Sequence, residues 1–289
     1  MSLQIQHFFD QPTFTYSYVI WDDQTNDAAI LDSVMDYDAA SGRAVYDSAD
    51  ELIGFVNGKQ LRVNYIMETH VHADHLSAAP YLREKLGGKM VIGSEILTVQ
   101  NVFGKLFNAG PDFPRDGSQF DVLLNDDDIL ELSENIKIRA MHTPGHTPAC
   151  MSYVVNDEAV FVGDTLFMPD FGTARCDFPG GSAETLYNSV MKLFQLPSET
   201  DVYLCHDYLP EGRTEYQYKT TIGEQRANNI HIGESNNKDE FIAKRTARDA
   251  QLAMPKLIMP SVQVNMRAGH LPPPEDNGVS YIKIPVNAV

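Results

Sequence analysis

Hydrophobic positions along this chain switch repeatedly between a two-residue and a 3.6-residue period. Residues 14–20 and 28–32 are apolar runs bounded by turn residues and read as two strands, joined by the polar turn at 22–26. The spacing then predicts a helix over 39–56, with Asn57-Gly58 as its stop signal. Residues 61–67 return to β character. A helix is expected over 76–86, ended by Gly87-Gly88, followed by a short buried strand over 89–93. Ser94 is placed to cap a further helix reaching residue 107.

The second half runs in the same order, strands before helix. Residues 136–141 alternate, and 151–155 pairs with 159–162 as a hairpin across 156–158. Residues 182–196 form an amphipathic helix with Leu186, Val190, Leu193 and Phe194 on one face, and 202–204 is a short strand. Two such halves predict an α/β fold with two sheets face to face and helices outside, a four-layer αββα sandwich. Residues 1–222 are expected to form the main domain. Residues 223–289 are read as a C-terminal extension packed on it, helical over 239–252 and irregular at Leu271-Pro272-Pro273-Pro274.

Composition narrows the chemistry. The 289 residues carry a net charge of −18 and only three cysteines, Cys150, Cys176 and Cys205, with no CxxC pair. Thiolate zinc sites and a disulfide framework are therefore excluded, and a reducing compartment is expected. Nucleic acid and anionic membranes are poor partners for so acidic a surface. No apolar run approaches bilayer length, and the N-terminal segment lacks the basic-then-apolar order of a secretory signal, so a cytoplasmic location is expected. An anionic substrate would need a local basic pocket to overcome the overall field at short range.

The residues that carry chemistry follow strand ends. His70, His72, Asp74 and His75 fall within six positions after the apolar run ending at Met67. A helix start needs one cap, not three imidazoles. His146 follows the strand ending near Met141, Asp164 follows Val162, and His206 follows Leu204. Imidazole and carboxylate donors suit zinc, iron or manganese. A lone histidine or aspartate after a strand is ordinary loop chemistry, but four such ends in order are not.

These residues, in this order, resemble the metallo-β-lactamase superfamily over residues 14–208. The resemblance implies its αββα fold and leaves the reaction open, because the superfamily spans hydrolases, nucleases and oxidoreductases. Residues 171–178, Phe-Gly-Thr-Ala-Arg-Cys-Asp-Phe, look like the Arg-x-Asp-Phe loop of the persulfide dioxygenases. His206-Asp207-Tyr208, Gly223-Glu224-Gln225-Arg226, and the segments 245–249 and 260–265 are similar to the bacterial branch of that family. The mitochondrial branch has Cys-Gly before the arginine, where this chain has Thr173-Ala174, and Cys176 is not an equivalent.

That resemblance implies a dioxygenase that uses O₂ and water to convert glutathione persulfide to sulfite and glutathione, a step of sulfide oxidation. It implies one Fe(II) per chain on His70, His146 and Asp164, a two-histidine, one-carboxylate triad with open positions. His72, Asp74, His75 and His206 then become partners that hydrogen-bond the ligands, or ligands of a second metal, with zinc as an alternative occupant. Arg175, Asp177 and Tyr208 are the implied catalytic residues, and Arg175, Arg226 and Tyr208 the substrate contacts. A homodimer is expected. The competing expectation is a glyoxalase II-like hydrolase that cleaves glutathione thioesters with two metals.

Overall fold

The computed structural model describes residues 2–233 and 236–288. In chain order the first half holds β1 (Leu3–Asp10), β2 (Thr15–Asp22), β3 (Asp27–Leu31), β4 (Val34–Asp38), β5 (Arg43–Val45), α1 (Asp47–Lys59) and β6 (Arg62–Met67). It continues through β7 (Leu76–Ser77), α2 (Ala79–Leu86), β8 (Lys89–Gly93), α3 (Ile96–Leu106) and β9 (Val122–Leu124). The second half holds β10 (Ile129–Glu131), β11 (Lys137–His142), β12 (Met151–Val155), β13 (Ala159–Phe161), α4 (Ala183–Leu193), β14 (Asp201–Tyr203) and β15 (Lys219–Thr221). Helices α5 (Ile222–Asn228), α6 (Lys238–Asp249) and α7 (Ile258–Asn265) follow.

Two six-stranded sheets, ordered β1-β2-β3-β6-β8-β9 and β10-β11-β12-β13-β14-β15, make the inner layers. Strand alternation sorts the core. Ile20, Leu31 and Met67 point between the sheets and meet Ile138, Tyr153 and Phe161 from the other sheet. Their neighbours Val19, Ile30 and Ile66 point outward to Leu52 and Val56 of α1, Leu82 of α2, and Val262 of α7. On the opposite flank Val154, Val160 and Val202 pack on Leu186, Val190 and Leu193 of α4 and Phe241 of α6. The result is the expected αββα sandwich. Among the described residues no helix is long and apolar enough to cross a membrane.

Four local expectations fail for physical reasons. Residues 39–46 are not helical. The Asp38 carboxylate accepts from Ala40 N and Ser41 Oγ, and Gly42 takes φ +67°, so a side-chain-closed turn joins β4 to β5. The following helix does not stop at Asn57-Gly58, because the left-handed residue that ends it is Gln60, at φ 57°. Leu76-Ser77 pair with β4 instead of opening a helix, since Val34 and Met35 offer a free strand edge. Ser94 does not cap α3. Its N–H continues the sheet by donating to Leu124 O, and the helix begins two residues later. The three-residue hairpin loop 156–158 fits its sequence: Asn156 and Asp157 both adopt positive φ, as the centre of a type I′ turn requires, and Glu158 N–H closes it on Val155 O.

Beyond residue 222 the chain continues without a break inside α5. Strand β1 and helix α7 were not anticipated by periodicity. The parallel pairs β3–β6 and β13–β14 end on the same side as the metal-type residues. The two packed sheets thus present four loops at one rim.

Candidate metal centre

The loop leaving β6 is shaped by Asp32, the first residue past β3. Asp32 sits at φ 50°, a left-handed conformation that aspartate tolerates better than most residues. This turns its carboxylate back under the loop. It accepts from Thr69 N at 2.7 Å and is 3.0 Å from His72 Nε2. Glu68 approaches the same His72 nitrogen at 3.2 Å and accepts from Ser77 Oγ at 2.6 Å. Held between two carboxylates, Nε2 keeps the proton and Nδ1 is left bare. Burial opposes charge on His72, but Asp32 and Glu68 outweigh it and lift its pKa well above the usual value, so a metal taken at Nδ1 would displace a proton there. Burial, reinforced by His72 and His146, pushes His70 well below its usual value, so its imidazole stays neutral.

Backbone carbonyls fix two more tautomers. His146 Nδ1 lies 2.8 Å from Arg175 O, and His206 Nδ1 lies 3.2 Å from Phe14 O. A carbonyl only accepts, so each Nδ1 carries hydrogen and each Nε2 is free to face inward. His146 Nε2 is then 3.6 Å from Asp164 Oδ2. His206 Nε2 is 3.3 Å from Asp164 Oδ1 and 3.2 Å from Asp74 Oδ2.

Six atoms of these seven candidate ligands are buried without a hydrogen-bond partner: Nε2 of His70, His75 and His206, Nδ1 of His72, Oδ2 of Asp74 and Oδ1 of Asp164. One unpaired buried polar group costs about 1–3 kcal/mol. Six of them aimed at one another are accounted for by a cation among them. The donors of His70, His146 and Asp164 lie within 4.8 Å of one another, as do those of His72, Asp74, His75 and His206. Nitrogen and oxygen donors of this kind fit a divalent transition metal, and the first group comprises two histidines and one carboxylate. All seven predicted donors are therefore brought together, arranged as a group of three beside a group of four.

A cavity of about 770 Å³ opens over these groups, walled by Phe14, Phe167, Phe171, Phe178 and Tyr208. The Tyr208 ring stacks on His206 with centroids 5.7 Å apart. Burial, then the Asp164 and Asp74 charges, raise the Tyr208 hydroxyl well above its usual pKa, so it remains a donor. Arg175 lines the cavity but is largely occupied. Its Nε and Nη2 grip the Asp177 carboxylate at 2.6 Å each, and Nη1 donates to Ala253 O at 2.7 Å. Arg226 is not a lining residue. Its guanidinium instead donates to Leu196 O at 3.1 Å, on the helix side of the second sheet.

The C-terminal helices clamp the centre. Asn265 Nδ2 donates to His72 O at 2.9 Å and to His75 O at 2.8 Å, while its Oδ1 accepts from Ser77 N at 2.8 Å. One side chain from α7 thus pins the ligand loop at three points. The Arg175 loop is held the same way. Arg245 Nη1 donates to Thr173 O and pairs with Asp249, whose other oxygen accepts from Cys176 N. His231 Nδ1 accepts from Thr173 N at 3.0 Å. Burial and then Arg245 press its pKa down to about 3, which keeps that nitrogen unprotonated. Asp32, Glu68 and Asn265 were not singled out from sequence. Asp32 carried a usable signal, an aspartate closing an apolar strand, and Asn265 only its place at the end of the family-like segment 260–265.

The metallo-β-lactamase superfamily profile matches residues 10–206. The chain belongs to the metallo-β-lactamase superfamily. It is an enzyme of that group, whose members bind metals. It is 57% identical to a probable metallo-hydrolase of Burkholderia pseudomallei, over 99% of this chain and all of the relative. Glyoxylase B2 of Dictyostelium discoideum is 51% identical over 98% of this chain and 97% of its own length. The mitochondrial persulfide dioxygenase ETHE1 of Bos taurus is 30% identical over 93% of this chain and 90% of its own. The crystal structure of ETHE1 from Myxococcus xanthus superposes with a TM-score of 0.73 at 29% identity, covering 92% of this chain and all of that one. Dioxygenase and hydrolase names thus both occur among the superfamily relatives.

Proposed function

We propose that this enzyme is a persulfide dioxygenase that oxidises glutathione persulfide, with one Fe(II) held by His70, His146 and Asp164. The observation that carries the reading is the wiring of the Arg175 loop. The loop that resembles the persulfide dioxygenases is the one whose Arg175 carbonyl fixes the tautomer of the ligand His146. The reaction balances as persulfide plus O₂ plus water giving thiol plus sulfite, with the outer sulfur losing four electrons to O₂. Bound iron supplies the redox chemistry that joins the sulfur to oxygen.

The chain's own residues bind, orient and exclude water. Phe167, Phe171 and Phe178 line an apolar wall beside the triad and lower the local dielectric. Tyr208, held protonated, can donate to the persulfide sulfur. Arg175 and Arg245 are committed to Asp177 and Asp249, so recognition of the two glutathionyl carboxylates falls to the exposed lining cations Arg43, Arg248 and Lys256. Arg248→Ala is expected to raise KM for the persulfide about five-fold with little change in kcat, while Arg226→Ala leaves KM unchanged. Steady-state kinetics on both variants checks this, and the reverse pattern would return the substrate contact to Arg226.

A second reading has its own observation. His72, Asp74, His75 and His206 retain bare donors, as a two-metal thioester hydrolase requires. The two readings part under anaerobic conditions. The iron-loaded protein is expected to release no sulfite from glutathione persulfide without O₂ and to cleave acylglutathione slowly whether or not O₂ is present. Rapid anaerobic thioester cleavage would favour the hydrolase.

A further inference from the structure

Behind the metal centre lies a second, much smaller cavity of about 20 Å³. Its walls are Val71, Val99, Val102, Phe103, Ile258 and Val262, with only two threonine hydroxyls among its other lining residues. Ala73 and Phe178 line both this cavity and the large one. Ala73 stands in the ligand loop between His72 and Asp74. The Phe178 ring stands edge-on to the His146 imidazole, centroids 5.0 Å apart at 87°. The small cavity thus ends one side chain away from the triad. Its outer rim is α3, where Val102 is 40% exposed.

Size and polarity together restrict what can use it. A volume near 20 Å³ holds one small molecule and cannot pass a tripeptide. Water needs two to four polar partners to occupy such a space, and an apolar pocket lined by aliphatic and aromatic carbon stays dry and binds apolar gases instead. A hydrolytic site has no use for an apolar side door. An enzyme that combines a bulky anionic persulfide with a small apolar gas does, because the persulfide fills the large cavity and blocks that entrance.

We infer that the cavity between α3, α7 and Phe178 is an entry and holding site for dioxygen, separate from the persulfide entrance. This rests on the dioxygenase reading above. Two variants narrow the path, Val99→Phe in its wall and Val102→Trp at its rim. Either is expected to raise KM for O₂ about five-fold while leaving KM for glutathione persulfide unchanged. Because Val99 is buried and its replacement can perturb folding, crystals of the unaltered protein pressurised with xenon give an independent readout, with a xenon atom expected between Val99, Val262 and Phe178. Oxygen uptake with an unaltered KM for O₂ in both variants, or a cavity empty of xenon, would overturn the gas path and leave the dioxygenase reading standing. Unaltered protein that takes up no oxygen with persulfide would overturn both.

Discussion

Asp164→Ala is expected to remove iron and activity together. Asp164 is the only carboxylate in the triad, and its two oxygens reach towards both His146 and His206. Without it, two imidazoles must hold a dication with no carboxylate among the ligands, in a buried site where a poorly compensated charge is expensive. Losing a ligand itself is a larger change than losing the outer partner of a ligand, which already costs about 10–100-fold in affinity or activity. Iron content of the purified variant and its oxygen uptake check this. A variant that keeps full iron would show that the triad is wrongly assigned, and one that keeps iron but loses activity would shift Asp164 from holding metal to handling protons.

The second large effect is expected far from the motif in sequence. Asn265→Ala leaves Ser77 N–H and the carbonyls of His72 and His75 buried without their partner. At about 1–3 kcal/mol per unpaired buried group, with partial relaxation, the variant should lose on the order of 3 kcal/mol of stability. A looser ligand loop should also weaken metal binding. Asn265→Asp is not expected to rescue it, because a carboxylate accepts from Ser77 N–H but cannot donate to the two carbonyls. Thermal unfolding and metal titration test both claims. Wild-type metal affinity in a destabilised Asn265→Ala protein would reduce Asn265 to a packing residue.

These two residues mark what sequence could and could not reveal. Asp164, with the histidines, was legible because each donor stands just past an apolar strand, a local pattern that the rigid sheet then converts into proximity. The role of Asn265 was not, because its partners lie about 190 positions away and resemblance of segment 260–265 to a family says nothing of what its side chain touches. Glu68 and Asp32 fall between these cases. Both adjoin strands that were recognised, yet their role depends on a left-handed turn and on the His72 ring lying between them. Arg226 shows the converse: its motif neighbours suggested substrate contact, but α5 directs its guanidinium to Leu196 O. The helix expected from residue 39 failed because Asp38, Ser41 and Gly42 build a turn whose hydrogen bonds outweigh alanine's modest helix preference. Layer order survived all of this, since it depends only on which face of each strand is apolar.

Oxygen consumption tests the central claim most directly. Iron-loaded protein mixed with glutathione persulfide in a sealed electrode cell is expected to take up one O₂ for each sulfite formed, and to stop when the persulfide is exhausted. No oxygen uptake, with rapid hydrolysis of an acylglutathione by the same preparation, would contradict it.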